Sequence, residues 1–185
     1  MRRFDRKRLE GEGYLRHRMV SALTVLRADE NPLDRSKWSY IRLADELKRW
    51  VGHPDEDLRE LFSRMVFNAL ISNVDDHPRN HALIATGSEW SLSPAYDLTP
   101  MPQASTERDL AMEVGSAQNR RANRNNLLSE CGRFRMSRED ASRLIDKMKV
   151  TVSARWRDVV KECGGTEADL KAIERAFDYE GFEYD

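Results

Sequence analysis

Phe67-Asn68-Ala69-Leu70-Ile71-Ser72-Asn73-Val74-Asp75-Asp76-His77-Pro78-Arg79-Asn80 is the stretch on which the fold turns. Its first residues continue a helical pattern set further back, where Leu58, Leu61, Phe62, Met65, Val66, Ala69 and Leu70 recur three or four apart. That spacing predicts a buried helix, capped at Asp55, with Glu56 and Asp57 in its first turn. From Ser72 the apolar period stops, and acid, amide and proline residues take over, so Ser72–Asn80 reads as a loop at the end of the spine.

Working outward, His81 to Ala85 and Glu89 to Ser93 flank Thr86-Gly87-Ser88, which predicts a small hairpin. A second loop, Pro94-Ala95-Tyr96-Asp97-Leu98-Thr99-Pro100, follows, so the hairpin should return it beside the first. Asp75, Asn80 and Asp97 then offer what phosphoryl transfer requires. One carboxylate can orient and deprotonate an attacking hydroxyl, and an amide oxygen with a second carboxylate can hold magnesium on the phosphates. Taken alone, Asp75-Asp76 would read as a solvated acidic turn or a cap, and it is the spacing to Asn80 and Asp97 that argues against this. A calcium loop would need a glycine and a distal glutamate that this segment lacks, and a His77/His81 zinc pair is broken by Pro78 and has no third ligand.

These two segments resemble the signature segments of the HipA family of bacterial toxin kinases, Asn-x-Asp-x-His-x-x-Asn and Pro-x-Tyr-Asp-Leu. Asn73 and Asp97-Leu98-Thr99 depart from the eukaryotic kinase pattern, which has His at the first position and Asp-Phe-Gly at the second. The resemblance implies Asp75 as catalytic base, Asn80 and Asp97 as magnesium ligands, Tyr96 beside the nucleotide, and His77 as a motif residue at the same site. Arg3-Phe4-Asp5-Arg6 resembles the family's hinge, which would put Arg3 and Phe4 at the adenine edge. It further implies ATP and Mg2+ as cofactors, a serine or threonine of a protein as acceptor, in a setting where the target often belongs to translation, and a HipB-like antitoxin as partner. The expected fold is mainly α with small β-hairpins, like the C-terminal lobe of a protein kinase. The expected organisation is one domain over residues 1–185, with the phosphate-covering N-terminal lobe absent and no Walker-type loop replacing it. Activity would then need a separate chain supplying that lobe, and the competing reading is a non-catalytic remnant or binding module of the same fold.

The remaining sequence limits the function classes. Lys plus Arg total 31 against 32 Asp plus Glu, so no overall basic field marks a nucleic-acid binder. The run Arg120-Arg121-Ala122-Asn123-Arg124 reads as a solvated basic loop with at most indirect nucleic-acid contact. Two cysteines without metal spacing and no membrane-length apolar run point to a cytoplasmic protein. Further helices are expected over Leu15–Leu26, over Ser39–Val51 ending at Gly52, after Ser137 with Val159 on its apolar stripe, and after Thr166. Residues from Met101 to about Asn126 are expected to be flexible, and Trp38, Trp50, Trp90, Trp156, Phe62 and Phe67 to be core.

Overall fold

The stripe that begins at Leu58 forms the central helix. Numbering elements along the chain, this is α3, Pro54–Leu70, and it buries Leu58, Leu61, Phe62, Met65, Val66 and Ala69 completely. The computed structural model describes residues 3–184, apart from the side chain of Pro32. Pro54 occupies the first helical position, where a missing N–H is harmless, so the cap falls on His53 and not on Asp55. Asp55, Glu56 and Asp57 together fill the first turn, at the positive end of the helix dipole.

Ahead of α3 runs α2, Tyr40–Trp50, capped by Ser39, whose hydroxyl accepts from the Arg42 N–H at 3.1 Å. Behind it lies α5, Arg138–Glu162, and then α6, Glu167–Ile173. Both start where the Ser-x-x-Asp and Thr-x-x-Asp patterns place them: Ser137 accepts from the Asp140 N–H at 3.0 Å, and Thr166 and Asp169 satisfy each other's backbone. Val159, expected on the buried stripe of α5, is instead 45% exposed. Among the described residues no helix is long and apolar enough to cross a membrane.

The hairpin forms as expected from β4, Ala82–Thr86, and β5, Glu89–Leu92, with Gly87 taking a positive φ of 65° in the turn. The segment before it overturns the helix expected over Leu15–Leu26. Tyr14–Arg16 is strand β2, paired with β1, Arg6–Arg8, and Arg18–Ser21 is strand β3. Only the single turn α1, Ala22–Val25, is helical. The reason is tertiary: β3 lies antiparallel to β4, with Met19 opposite Ile84 and Val20 opposite Leu83, giving a sheet in the order β3-β4-β5. A ladder partner so distant in sequence outweighs the local helical period.

Residues 101–126 are likewise not a loose connection. Leu110, Met112, Val114 and Ala122 are buried in the main core, and bridges join Ser39 to Glu113 and Asp109 to Arg121. The basic run inside this stretch is consumed internally. Arg120 donates to the Arg35 carbonyl at 2.6 Å, Arg121 pairs with Glu107 and Asp109, and Arg124 pairs with Asp146 at 2.7 Å. Asn123 caps a further short helix, α4, Arg124–Ser129.

Candidate functional site

The end of α3 delivers the first loop. Ile71 closes the helix, Ser72 turns the chain at a φ of 54°, and Pro78–Asn80 form one 3-10 turn before β4. The second loop leaves β5 and reaches Asp97, which also takes a left-handed φ, 57°, a conformation that Asp tolerates better than most residues. The loops are tied together at two points. Asn73 Nδ2 donates to the Asp97 carbonyl at 3.3 Å, and the Tyr96 hydroxyl donates to the Arg79 carbonyl at 2.6 Å.

The adjacent acids are sorted in opposite directions. Asp75 leaves 70% of its side chain exposed, with His77 Nε2 4.0 Å away. Asp76 is fully buried and accepts the N–H groups of Ala111 at 2.7 Å and Met112 at 3.4 Å, holding the returning 109–114 segment against the loop. Burial pushes the Asp76 carboxyl up to about 7 against the pull of Tyr40 and these two N–H groups. Tyr40 is close enough to exert that pull, yet Asp76 Oδ2 receives no hydrogen bond of ordinary geometry. Of the pair, only Asp75 is presented to an incoming group.

Asn80 is buried, and its Nδ2 donates to the Asp75 carbonyl at 3.3 Å, which fixes the amide and leaves Oδ1 without a donor among the described residues. The exposed Asp97 carboxylate has no hydrogen-bonding or ion-pair partner among the described residues. The free donor set is therefore hard oxygen, the chemistry magnesium prefers, and these residues fit such an ion. His77 is mostly buried, its Nδ1 unpartnered and its Nε2 3.4 Å from the Arg79 guanidinium. Arg79 is itself paired with Glu30 at 2.8 Å.

Phe4 and Tyr96, which the resemblance implied stand at the edge of and beside the nucleotide, meet: their rings lie 5.8 Å apart, tilted by 31°. Burial raises the Tyr96 phenol. Arg3 is turned to Asp5, with contacts of 2.8 and 2.9 Å, and with Arg6 holds that carboxyl well below the usual range.

Sequence reasoning missed the polar supports beneath the loops. Asn68 gives its Nδ2 to the Tyr40 hydroxyl at 2.8 Å and receives Asn73 Nδ2 at 3.1 Å. Arg64, only 5% exposed, donates to the Ser93 carbonyl at the root of the second loop and to Glu60 at 2.8 Å. Arg108, equally buried, donates to the hydroxyl of Ser72 at the start of the first loop and lies 4.1 Å over the Tyr179 ring. A signal existed for two of them: Arg64 and Asn68 are polar residues four apart among the mainly apolar positions of α3.

The family model described as HipA-like C-terminal domain matches residues 1–156. Among solved structures, a chain of the HipA, HipB and operator DNA complex from the toxin–antitoxin system of Shewanella oneidensis MR-1 matches with a TM-score of 0.73 at 18% sequence identity. The match covers 94% of this chain and 45% of that one, so it shows the fold, and the present chain spans less than half of its neighbour's length. No curated protein sequence matches.

Proposed function

The chain belongs to the family of HipA-like C-terminal domains, and from that premise we propose that it is the catalytic lobe of a toxin–antitoxin protein serine/threonine kinase, transferring the ATP γ-phosphate to a protein hydroxyl. The observation that carries this reading is the double tie between the two loops, Asn73 to Asp97 and Tyr96 to Arg79, because catalysis of phosphoryl transfer rests on positioning and electrostatics. Asp75, exposed and approached among the described residues only by the His77 ring at 4.0 Å, is the residue to orient the acceptor hydroxyl and take its proton. Asn80 and Asp97 would hold Mg2+, which when bound neutralises charge on the transferring phosphates. Phe4 and Tyr96 would flank the nucleotide with Arg3 at its edge, and His77 would stand behind Asp75. In this reading the protein works in the cytoplasm with a HipB-like antitoxin, on a target belonging to translation. Nucleic acid would be met only through the antitoxin.

Residues 1–185 hold no Gly-rich phosphate-covering loop, so full activity in this proposal needs that lobe from adjoining sequence or from another polypeptide. Calorimetry of ATP binding tests the site without a known protein target. Wild-type protein should bind ATP with Mg2+ and lose that binding in EDTA or in Asp97→Ala, whereas Asp75→Ala should bind and, with the missing lobe supplied, fail to transfer. Absence of Mg2+-dependent binding in the wild type would sink the catalytic reading in favour of a non-catalytic binding module.

A further inference from the structure

The β1–β2 ribbon gains almost no cover from the rest of the molecule: every strand residue except Arg6 is exposed. A two-stranded ribbon with neither face covered is marginal by itself. The register also sets Arg6 directly opposite Arg16 and Arg8 opposite Tyr14, so one face carries three arginines and a tyrosine. Like charges in direct opposition cost stability unless something compensates them. Asp5 compensates Arg6 at 2.9 Å, but Lys7, Arg8 and Arg16 have no anionic partner among the described residues. By alternation the other face holds Lys7, Leu9 and Leu15, and the two leucines are 49% and 54% exposed.

The backbone is open on the same ribbon. Hydrogen bonds from the His17 N–H to the Asp5 carbonyl at 2.9 Å and from the Leu9 N–H to the Gly13 carbonyl at 3.2 Å show which residues point inward. Asp5, Lys7 and Leu9 face the partner strand, so the N–H and C=O groups of Arg6 and Arg8 point away along the outer edge of β1. Free edge groups, unpaired cations on one face and bare leucines on the other occur together. They match an extended chain whose acidic and apolar side chains alternate. A nucleic-acid groove is a poorer match, because the tip of the ribbon is Glu10-Gly11-Glu12 and would meet phosphates with like charge.

We propose that the outer edge of β1 is a docking site for an extended acidic segment of a partner protein, which adds as a third strand with its carboxylates toward Arg8 and Arg16 and its apolar side chains toward Leu9 and Leu15. The site begins at Arg6, two residues after the Phe4–Tyr96 contact, so an occupant lies next to the second loop. It does not depend on the phosphoryl-transfer reading, and Asp75→Ala should leave it unchanged.

The test is fluorescence anisotropy with the full chain and a labelled synthetic peptide of about ten residues alternating Glu and Val, a length that outspans the ribbon. Arg8→Glu combined with Arg16→Glu should weaken binding by about tenfold or more. The double variant should bind a Lys/Val peptide that the wild type rejects, a rescue that loss of folding could not produce. A peptide N-methylated at alternate amides should not bind if edge pairing holds it. Equal binding by wild type and double variant, undiminished binding of the N-methylated peptide, or no peptide binding at all would overturn the proposal. Tighter, Arg8- and Arg16-dependent binding of a short DNA duplex would also overturn it and give the face to nucleic acid.

Discussion

Asp75 and Asp76 are neighbours with the same side chain, and the fold gives them opposite fates: one is offered to solvent and the other is sealed under the returning 109–114 segment. The burial of Asp76 has a consequence for pH. Its carboxyl titrates at about 7 in the folded state against 3.8 unperturbed, so the protonated form stabilises the fold. That contribution is complete below 3.8 and lost as pH rises through about 7. His81, buried with neither ring nitrogen bonded, is lowered from 6.5 to about 3, so its contribution is present above 6.5 and lost as pH falls. The two oppose each other between 3.8 and 6.5. Asp76→Asn should therefore gain urea resistance relative to wild type as pH is raised from 4 to 8, and a constant difference across that range would refute the buried-acid assignment. Asn73→Ala should cost about 1–3 kcal/mol by stranding Asn68 Oδ1. It should also weaken Mg2+-dependent ATP binding, because the Asp97 carbonyl loses its tie to the first loop.

At the scale of elements, caps and close backbone approaches decide where helices begin and where segments dock. Ser137 holds the start of the 25-residue α5, so Ser137→Ala should lower stability by about 1 kcal/mol with little change in ATP binding, read from paired denaturation and calorimetry. Gly181 is under a harder constraint: a Cβ there would lie 2.0 Å from the Thr106 carbonyl, which also accepts the Gly181 N–H. Gly181→Ala should displace the closing segment at a cost of about 1–3 kcal/mol, seen as faster exchange of the amides around Thr106. The same scale explains the helix wrongly expected over Leu15–Leu26. Its apolar residues satisfy a helical period, but β4 presents an unpaired edge, and antiparallel pairing there satisfies the backbone groups of Arg18–Ser21.

At the scale of the whole molecule, two hydrophobic clusters among the described residues divide the work. The larger surrounds α2 and α3, and the smaller gathers Ile71, Trp156, Leu170, Ala176 and Phe177, with Phe67 and Leu98 against it. Ile71 immediately precedes the first loop and Leu98 immediately follows Asp97, so the smaller cluster supports both loops from the closing helices. Trp156, stacked on Phe177 at 4.4 Å, is its centre. Trp156→Ala should cost about 3–5 kcal/mol and also weaken ATP binding, although it is distant from the loops in sequence. Val150→Ala on the exposed face of α5 should change neither, and parity between the two variants would contradict this division.

The sequence by itself determined the spine helix, the hairpin, the two later caps at Ser137 and Thr166 and the two loops that carry Asp75, Asn80 and Asp97, because each rests on short-range spacing: helical period, turn chemistry, or side chains a few residues apart. The resemblance set Phe4 and Tyr96 separately beside the nucleotide, and the contact between their rings came only from the structure. Only the tertiary structure decided the strands over residues 14–21, the packing of 101–126, and the buried supports Asn68, Arg64 and Arg108. These depend on partners far along the chain, and a polar residue or a short apolar run carries no mark of what will face it until the backbone has brought that partner near.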